Sequence, residues 1–179
     1  MKKKVLVLST SLRNNSNSEI LSEEFAKGAK KAGHDVDQIS LKDKEINFCK
    51  GCLVCQTTKH CIMQDDVEAI AQKMMTADVL VFATPIYYYE MSGQMKTMLD
   101  RTNPLFAADY SFREIYLLAT AADAEQSAIG GALHGLKGWM DCFDQTELKG
   151  VLIGTGVTQP AEINDTPVLQ KAYEMGKAI

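Results

Sequence analysis

Several things are scarce in this chain of 179 residues, and each scarcity removes a class of protein. It has three histidines, His34, His60 and His134, far apart in sequence, so no imidazole-rich metal site is expected. Lys plus Arg number 19 against 23 Asp plus Glu, a net charge of −4, without the basic surplus of a nucleic-acid binder. No apolar run approaches the roughly 18 residues of a membrane span. Met1-Lys2-Lys3-Lys4 ahead of Val5–Leu8 imitates an export signal, but the apolar part falls short of the roughly 7–15 residues such a signal uses. A cytoplasmic protein with reduced cysteines is therefore expected. There is no Gly-x-Gly-x-x-Gly after the first apolar run and no Gly-x-x-x-x-Gly-Lys-[Ser/Thr] anywhere, which argues against a dinucleotide-binding Rossmann domain and a P-loop.

What is present is an ordinary globular composition, 46% hydrophobic and 23% charged, at a length that suits one domain spanning 1–179. Short apolar runs predict strands at Lys4–Leu8, Val36–Leu41, Val79–Ala83, Ile115–Thr120 and Val151–Gly154. Segments of helical period predict helices at Ser18–Ala32, Val67–Thr76, Ser92–Arg101, Ser127–Phe143 and Thr166–Ile179. Ser16 and Glu19 stand at capping-box spacing, and Gly33 supplies a stop. Met95, Met98 and Leu99 form an apolar stripe suited to packing on a sheet. Continuous apolar strands alternating with helices describe a doubly wound α/β domain. Without the Rossmann glycines, the expected arrangement is flavodoxin-like: a five-stranded parallel sheet in the order 2-1-3-4-5, helices on both faces, and a ligand crevice beyond strands one and three.

The loops after those two strands carry the candidate chemistry. Ser11, Arg13, Ser16, Asn17 and Ser18 precede a helix N-terminus, where hydroxyls, an amide, a cation and unpaired N–H groups can hold a phosphate. The same residue types also cap helices without binding anything. After strand three, Pro85 is expected to end the ladder. Ile86, Tyr87, Tyr88 and Tyr89 follow, and aromatic faces there can stack on a flat heteroaromatic ring or serve as interface or partial core. The loop Thr120–Asp123 is expected to form a third wall, without an assigned residue. No side chain stands out as a general acid or base; Glu90 reads as a helix-start carboxylate.

At these residues the sequence resembles the NADPH-dependent FMN reductases. Ser11-x-Arg13-x-x-Ser16-Asn17-Ser18 is similar to that family's phosphate loop. Thr84-Pro85-Ile86-Tyr87-Tyr88, continued by Ser92-Gly93-Gln94-Met95-Lys96 and Leu99-Asp100-Arg101, is similar to its flavin-ring loop and following helix. The resemblance implies FMN, its phosphate at Ser11, Arg13, Ser16, Asn17 and Ser18 and its ring against Pro85, Ile86, Tyr87, Tyr88 and Tyr89. Thr10 stands where the family often has glycine, and its side chain is expected to narrow the phosphate loop.

The most unusual feature is a cysteine-rich insertion, 47–64. Cys49, Cys52 and Cys55 are spaced C-x2-C-x2-C, with Cys61 six positions on; Cys142 stands alone and reads as a small buried hydrophobe. A tight loop of this kind with a nearby fourth thiol suits a cubane iron–sulfur cluster. A zinc site, a thiol–disulfide motif and a relict loop without metal remain open. In a flavodoxin-like chain the spacing resembles the iron–sulfur flavoproteins, which implies a 4Fe-4S cluster on Cys49, Cys52, Cys55 and Cys61 beside FMN. The resemblance further implies an oxidoreductase fed by a ferredoxin-like donor or NAD(P)H, working as a homodimer or homotetramer. A cluster-free NAD(P)H-dependent FMN, quinone or nitro reductase, a pure electron carrier and a non-enzymatic zinc module are the alternatives.

Overall fold

In the computed structural model, which describes residues 1–179, five parallel strands form one sheet in the order β2-β1-β3-β5-β6. The strands are β1 (Lys4–Ser9), β2 (Asp35–Ser40), β3 (Val79–Tyr87), β5 (Glu114–Thr120) and β6 (Glu147–Gly154). A two-residue strand, β4 (Glu90–Met91), turns back antiparallel on the end of β3. With β4 set aside, this is the flavodoxin-like order expected from the sequence. Alternation along the buried strands sorts side chains into two cores. Leu6, Leu8, Leu80, Phe82, Leu117 and Ala119 face one side, and Val5, Val7, Val79, Val81 and Leu118 face the other. Each of the Val, Leu and Phe side chains among them, removed from water, stabilises the sheet by roughly 1.5–3 kcal/mol.

Helices α3 (Val67–Thr76), α4 (Gly93–Asp100) and α6 (Gly130–Met140) supply apolar faces to the first core. The stripe Met95, Met98 and Leu99 of α4 is buried there as expected. Helices α1 (Asn17–Lys31) and α7 (Val168–Lys177) cover the second core. Those two touch backbone to backbone: a Cβ on Gly28 would lie 2.0 Å from the Tyr173 carbonyl oxygen, and one on Gly176 2.0 Å from that of Phe25. Two short helices, α2 (Cys55–Thr58) and α5 (Asn103–Phe106), lie between the larger elements.

The structure departs from the sequence expectations in several places. β3 does not stop at Pro85 but runs through it, with Pro85 registered against Thr120. β1 has already ended, at Ser9 opposite Ala83, so Pro85 sits where one flank of the strand is unpaired and a missing N–H is tolerated. The capping box does not form, because the Ser16 hydroxyl pairs with that of Ser18 at 3.1 Å instead of capping α1. The helix expected over Ser127–Phe143 is a 3₁₀ turn, Gln126–Ile129, followed by α6. Cys142 lies beyond α6 and is exposed rather than buried.

Candidate functional site

Beyond the carboxyl ends of β1 and β3 opens a cleft of about 530 Å³, mouth included. It brings Ser11, Arg13, Ser16 and Asn17 of the first loop opposite Pro85, Ile86 and Tyr87. Thr120 at the end of β5, Ala122 just after it, and Val157 and Thr158 after β6 complete the lining. Val157 and Thr158 were not named from the sequence, since only the strand order carries their loop to this place. The third wall expected at Thr120–Asp123 is thus supplied by Thr120 and Ala122.

The first loop is fixed by polar contacts to its neighbours. Thr10 donates its hydroxyl to the Ala83 carbonyl at 3.0 Å and lies 3.1 Å from the Ser92 hydroxyl. Its side chain therefore points into the fold and does not narrow the loop, contrary to the sequence expectation. Arg13 donates from Nη1 to the Thr158 carbonyl at 2.9 Å and remains largely exposed. Asn17 spends its amide on the 159–163 segment, donating to the Gln159 carbonyl at 2.9 Å and accepting from the Ile163 N–H at 3.2 Å. Ser18 is buried and does not line the cleft. At the far side, Glu162 accepts from the Thr158 and Gln159 N–H groups at 2.6 and 2.8 Å, which holds its carboxyl below the ordinary range. The cleft thus joins a hydroxyl-lined end with one cation to an apolar end built of Pro85, Ile86, Ala122 and Val157, a shape suited to an anionic tail on a flat ring.

Tyr88 and Tyr89 do not line the cleft. They are the two central residues of the β3–β4 hairpin, with φ of 51° and 64°, a left-handed pair that this tight turn demands and that usually falls to Asn and Gly. Tyr88 is fully exposed. Tyr89 donates its hydroxyl to Asp123 Oδ2 at 3.0 Å, tying the hairpin to the loop after β5. That bond raises the Tyr89 pKa; the Asp123 carboxyl is held low first by the Glu125 N–H and then by Tyr89. The hairpin rests on α6 because Gly131 lacks a side chain: a Cβ there would come 2.4 Å from the Tyr89 carbonyl oxygen.

The four clustered cysteines all line a second cavity, of about 400 Å³ with its mouth, together with Leu53, Ile62, Met63, Arg101 and Pro104. No three His, Cys, Asp or Glu groups are disposed to share a single ion; the thiols are instead spread around a common space. Cys55 is buried, Cys61 half-buried, and Cys49 and Cys52 exposed. Burial pushes the Cys55 thiol up, and Cys61, Cys52 and Cys49 act in the same direction. Gly51, Leu53 and Lys59 take left-handed backbone, with φ of 65°, 59° and 61°, which bends the loop tightly around the cavity. The Gly51 N–H donates to Cys49 Sγ at 3.4 Å.

This loop is seated by a buried ion pair that the sequence did not reveal. Arg101, at the end of α4 and 1% exposed, binds Asp65 through both terminal nitrogens, at 2.6 and 2.9 Å. It also donates to the Asn47 carbonyl at 2.6 Å and to Cys61 Sγ at 3.4 Å. Asp65 in turn accepts from the N–H groups of Asn47 and Val67, at 3.0 and 3.2 Å. Burial opposes its charge, but Arg101 and the two N–H groups prevail and lower its pKa to about 2. A second anchor runs from His60 Nδ1 to Glu68 Oε1 at 2.6 Å. Asp100-Arg101 was legible only as part of a motif; nothing in the local pattern marks a helix-end arginine for burial.

The arrangement has relatives. An iron-sulfur flavoprotein of Methanocaldococcus jannaschii is 37% identical over 102 residues, 57% of this chain and 53% of that protein, so the chain spans about half the length of that relative. An iron-sulfur flavoprotein of Methanosarcina thermophila is 26% identical over 180 residues, 98% of this chain and 93% of the other. An NAD(P)H:quinone oxidoreductase from Methanothermobacter marburgensis shares the fold, with a TM-score of 0.73 at 19% identity over 99% of this chain and 96% of that one. The family model of the NADPH-dependent FMN reductases matches residues 3–157, a span that takes in the first loop, the cysteine loop and the β3 end alike. With the order of its strands and the loops that meet at their ends, the chain belongs to the NADPH-dependent FMN reductase family.

Proposed function

We propose that this chain is an FMN-dependent oxidoreductase of the iron–sulfur flavoprotein type: one flavin-binding domain, 1–179, with a cysteine-rich insertion at 47–64. The observation that carries the reading is the cleft that sets Ser11, Arg13 and Ser16 against Pro85, Ile86 and Tyr87 at the ends of β1 and β3. The hydroxyls and Arg13 would receive the FMN phosphate, with Asn17 and Ser18 fixing the loop behind them. Pro85, Ile86 and Tyr87 would form the wall for the ring, with Tyr88 and Tyr89 at its outer lip. FMN when bound supplies one- and two-electron redox chemistry, and the protein supplies orientation.

The cysteine cavity fits a cluster by its donor set. Four soft thiols without imidazole suit iron–sulfur chemistry, and a cationic core shared among them would relieve their mutual repulsion as thiolates. Cys49, Cys52, Cys55 and Cys61 would hold a 4Fe-4S cluster, which supplies one-electron transfer when bound. Along the insertion, the exposed apolar residues Phe48, Leu53 and Ile62 stand among exposed Lys50, Lys59 and His60, with Asp100 in the cavity wall and Glu68 bonded to His60 as the carboxylates nearby. Exposed lysines and apolar side chains beside the thiols, on a chain of net charge −4, suit an acidic one-electron donor of the ferredoxin type, with NAD(P)H as the other source of electrons. The protruding Tyr88 suits a contact in a homodimer or homotetramer, and reduced thiols suit a cytoplasmic setting.

Anaerobic purification from iron-supplemented cells with added FMN, followed by an absorption spectrum and iron, sulfide and zinc analysis, tests this reading. Flavin bands with a broad brown shoulder and about four irons per chain are expected. Flavin bands without iron after reconstitution leave the cluster-free NAD(P)H-dependent quinone or nitro reductase. A colourless protein overturns the flavin assignment, and zinc in it selects the binding module.

A further inference from the structure

Arg101 is the residue whose environment the reading above leaves unexplained. A buried cation needs compensation, and Asp65 alone would provide it. Yet the guanidinium also reaches Cys61 Sγ at 3.4 Å and forms part of the wall of the thiol cavity. Four of its five N–H groups are engaged, by Asp65, the Asn47 carbonyl and Cys61. The fifth, on Nε, is buried and has no partner. An unpartnered donor of this kind costs free energy unless something accepts from it.

We propose that Arg101 is a positioning residue that holds Cys61 in its ligating orientation and raises the reduction potential of the cluster through its buried positive charge. The inference rests on the cluster reading of the preceding subsection. Reduction adds one negative charge to a cluster already surrounded by thiolates. A cation in contact with one of those sulfurs, in a site of low dielectric, favours the reduced form. The Cys61 sulfur is bonded to the guanidinium and to no carboxylate, so the positive partner of the ion pair is the one it meets.

The test is an EPR-monitored redox titration of the reconstituted protein and of Arg101→Gln and Asp65→Asn, with iron counted per chain in each. Arg101→Gln is expected to lower the midpoint potential by a tenfold change in the one-electron equilibrium, 59 mV, or more. Asp65→Asn loosens the same anchor but leaves the cation, so its potential is expected to stay or rise. Movement of both variants in the same downward direction identifies mere loosening of the loop and overturns the proposal. So does an unchanged potential in Arg101→Gln with about four irons bound. If Arg101→Gln retains FMN but takes up no iron, loosening of the loop suffices to explain the loss, and the sign of the Asp65→Asn shift decides, a fall overturning the proposal. If Arg101→Gln does not fold, the same sign decides, a fall overturning the proposal. Absence of iron from the wild-type protein after anaerobic reconstitution is the distinct result that overturns the cluster reading itself, and the proposal with it.

Discussion

The two candidate sites are built in opposite ways. The flavin cleft is assembled from residues as far apart as Ser11 and Thr158, each at the end of a strand whose place is fixed by a buried sheet. The thiol cavity takes eight of its twelve lining residues from the one insertion, 47–64, and the other four from Asp100 to Pro104. The first inherits its geometry from the whole hydrophobic core. The second depends on a few polar anchors, chiefly Asp65 with Arg101 and His60 with Glu68. The two should therefore respond to mutation separately, with the cysteine loop failing locally while the cleft persists.

The largest effect is expected from Arg101→Met, which leaves the Asp65 carboxylate buried without its cation. Loss of about 3–5 kcal/mol of local stability should appear as hydrogen exchange across 47–66, with the β1 and β3 amides still protected. Equal loss of protection in the sheet would erase the contrast between the sites. Acid should release the same anchor. Asp65 titrates near 3.8 when unfolded and at about 2 when folded, so its contribution is complete above about pH 4 and disappears as the pH falls through about 2. Exchange in the cysteine loop should rise over that window in wild-type protein and less steeply in Asp65→Asn, where the Glu68 carboxylate bonded to His60 is the anchor that acid still releases.

Arg13→Ala should weaken FMN by roughly 10- to 150-fold, the range for a lost charged hydrogen bond of about 1.5–3 kcal/mol. Riboflavin, which lacks the phosphate, should bind both proteins equally, and iron content should not change. Equal weakening of both ligands would mean that Arg13 shapes the cleft instead of meeting a phosphate. The smallest effect concerns the hairpin. Tyr88→Gly should stabilise the protein by about 1 kcal/mol by relieving left-handed backbone, raising Tm by roughly 2–4 °C. A fall in Tm would show that the tyrosine ring makes a contact worth more than the strain.

The sheet was legible because each of its central strands is a short apolar run bounded by polar turns, and burial on both faces demands that pattern. The loops after β1 and β3 were legible because the strand order alone names the crevice. What the sequence hid is long-range. Pro85 reads as a strand breaker until it is known that β1 ends before reaching it. Val157 and Thr158 look like any residues after a strand until β6 takes its place beside β5. Arg101 resembles a solvated helix terminus until the insertion folds over it, and Cys142 could not be told from a core residue by type alone. Side-chain pairings across such separations leave no local periodicity to read.

Helix α4 runs from the residues that support the cleft to the wall of the cysteine cavity, which its Asp100 helps to line. Its Ser92 cap bonds the Met95 N–H and stands beside Thr10 and Thr84 under the cleft, while Arg101 follows its other end. Eight residues at 1.5 Å each make it a ruler of about 12 Å between the two. Its length is therefore a constraint on descent as well as on structure. One residue inserted into it would swing Arg101 by about 100° and carry it away from Asp65, whereas the exposed stretch 56–60 between the third and fourth cysteines has room to gain or lose residues. Among descendants of this sequence, that stretch is where length should vary, and α4 and the spacing of Cys49, Cys52 and Cys55 are where it should not.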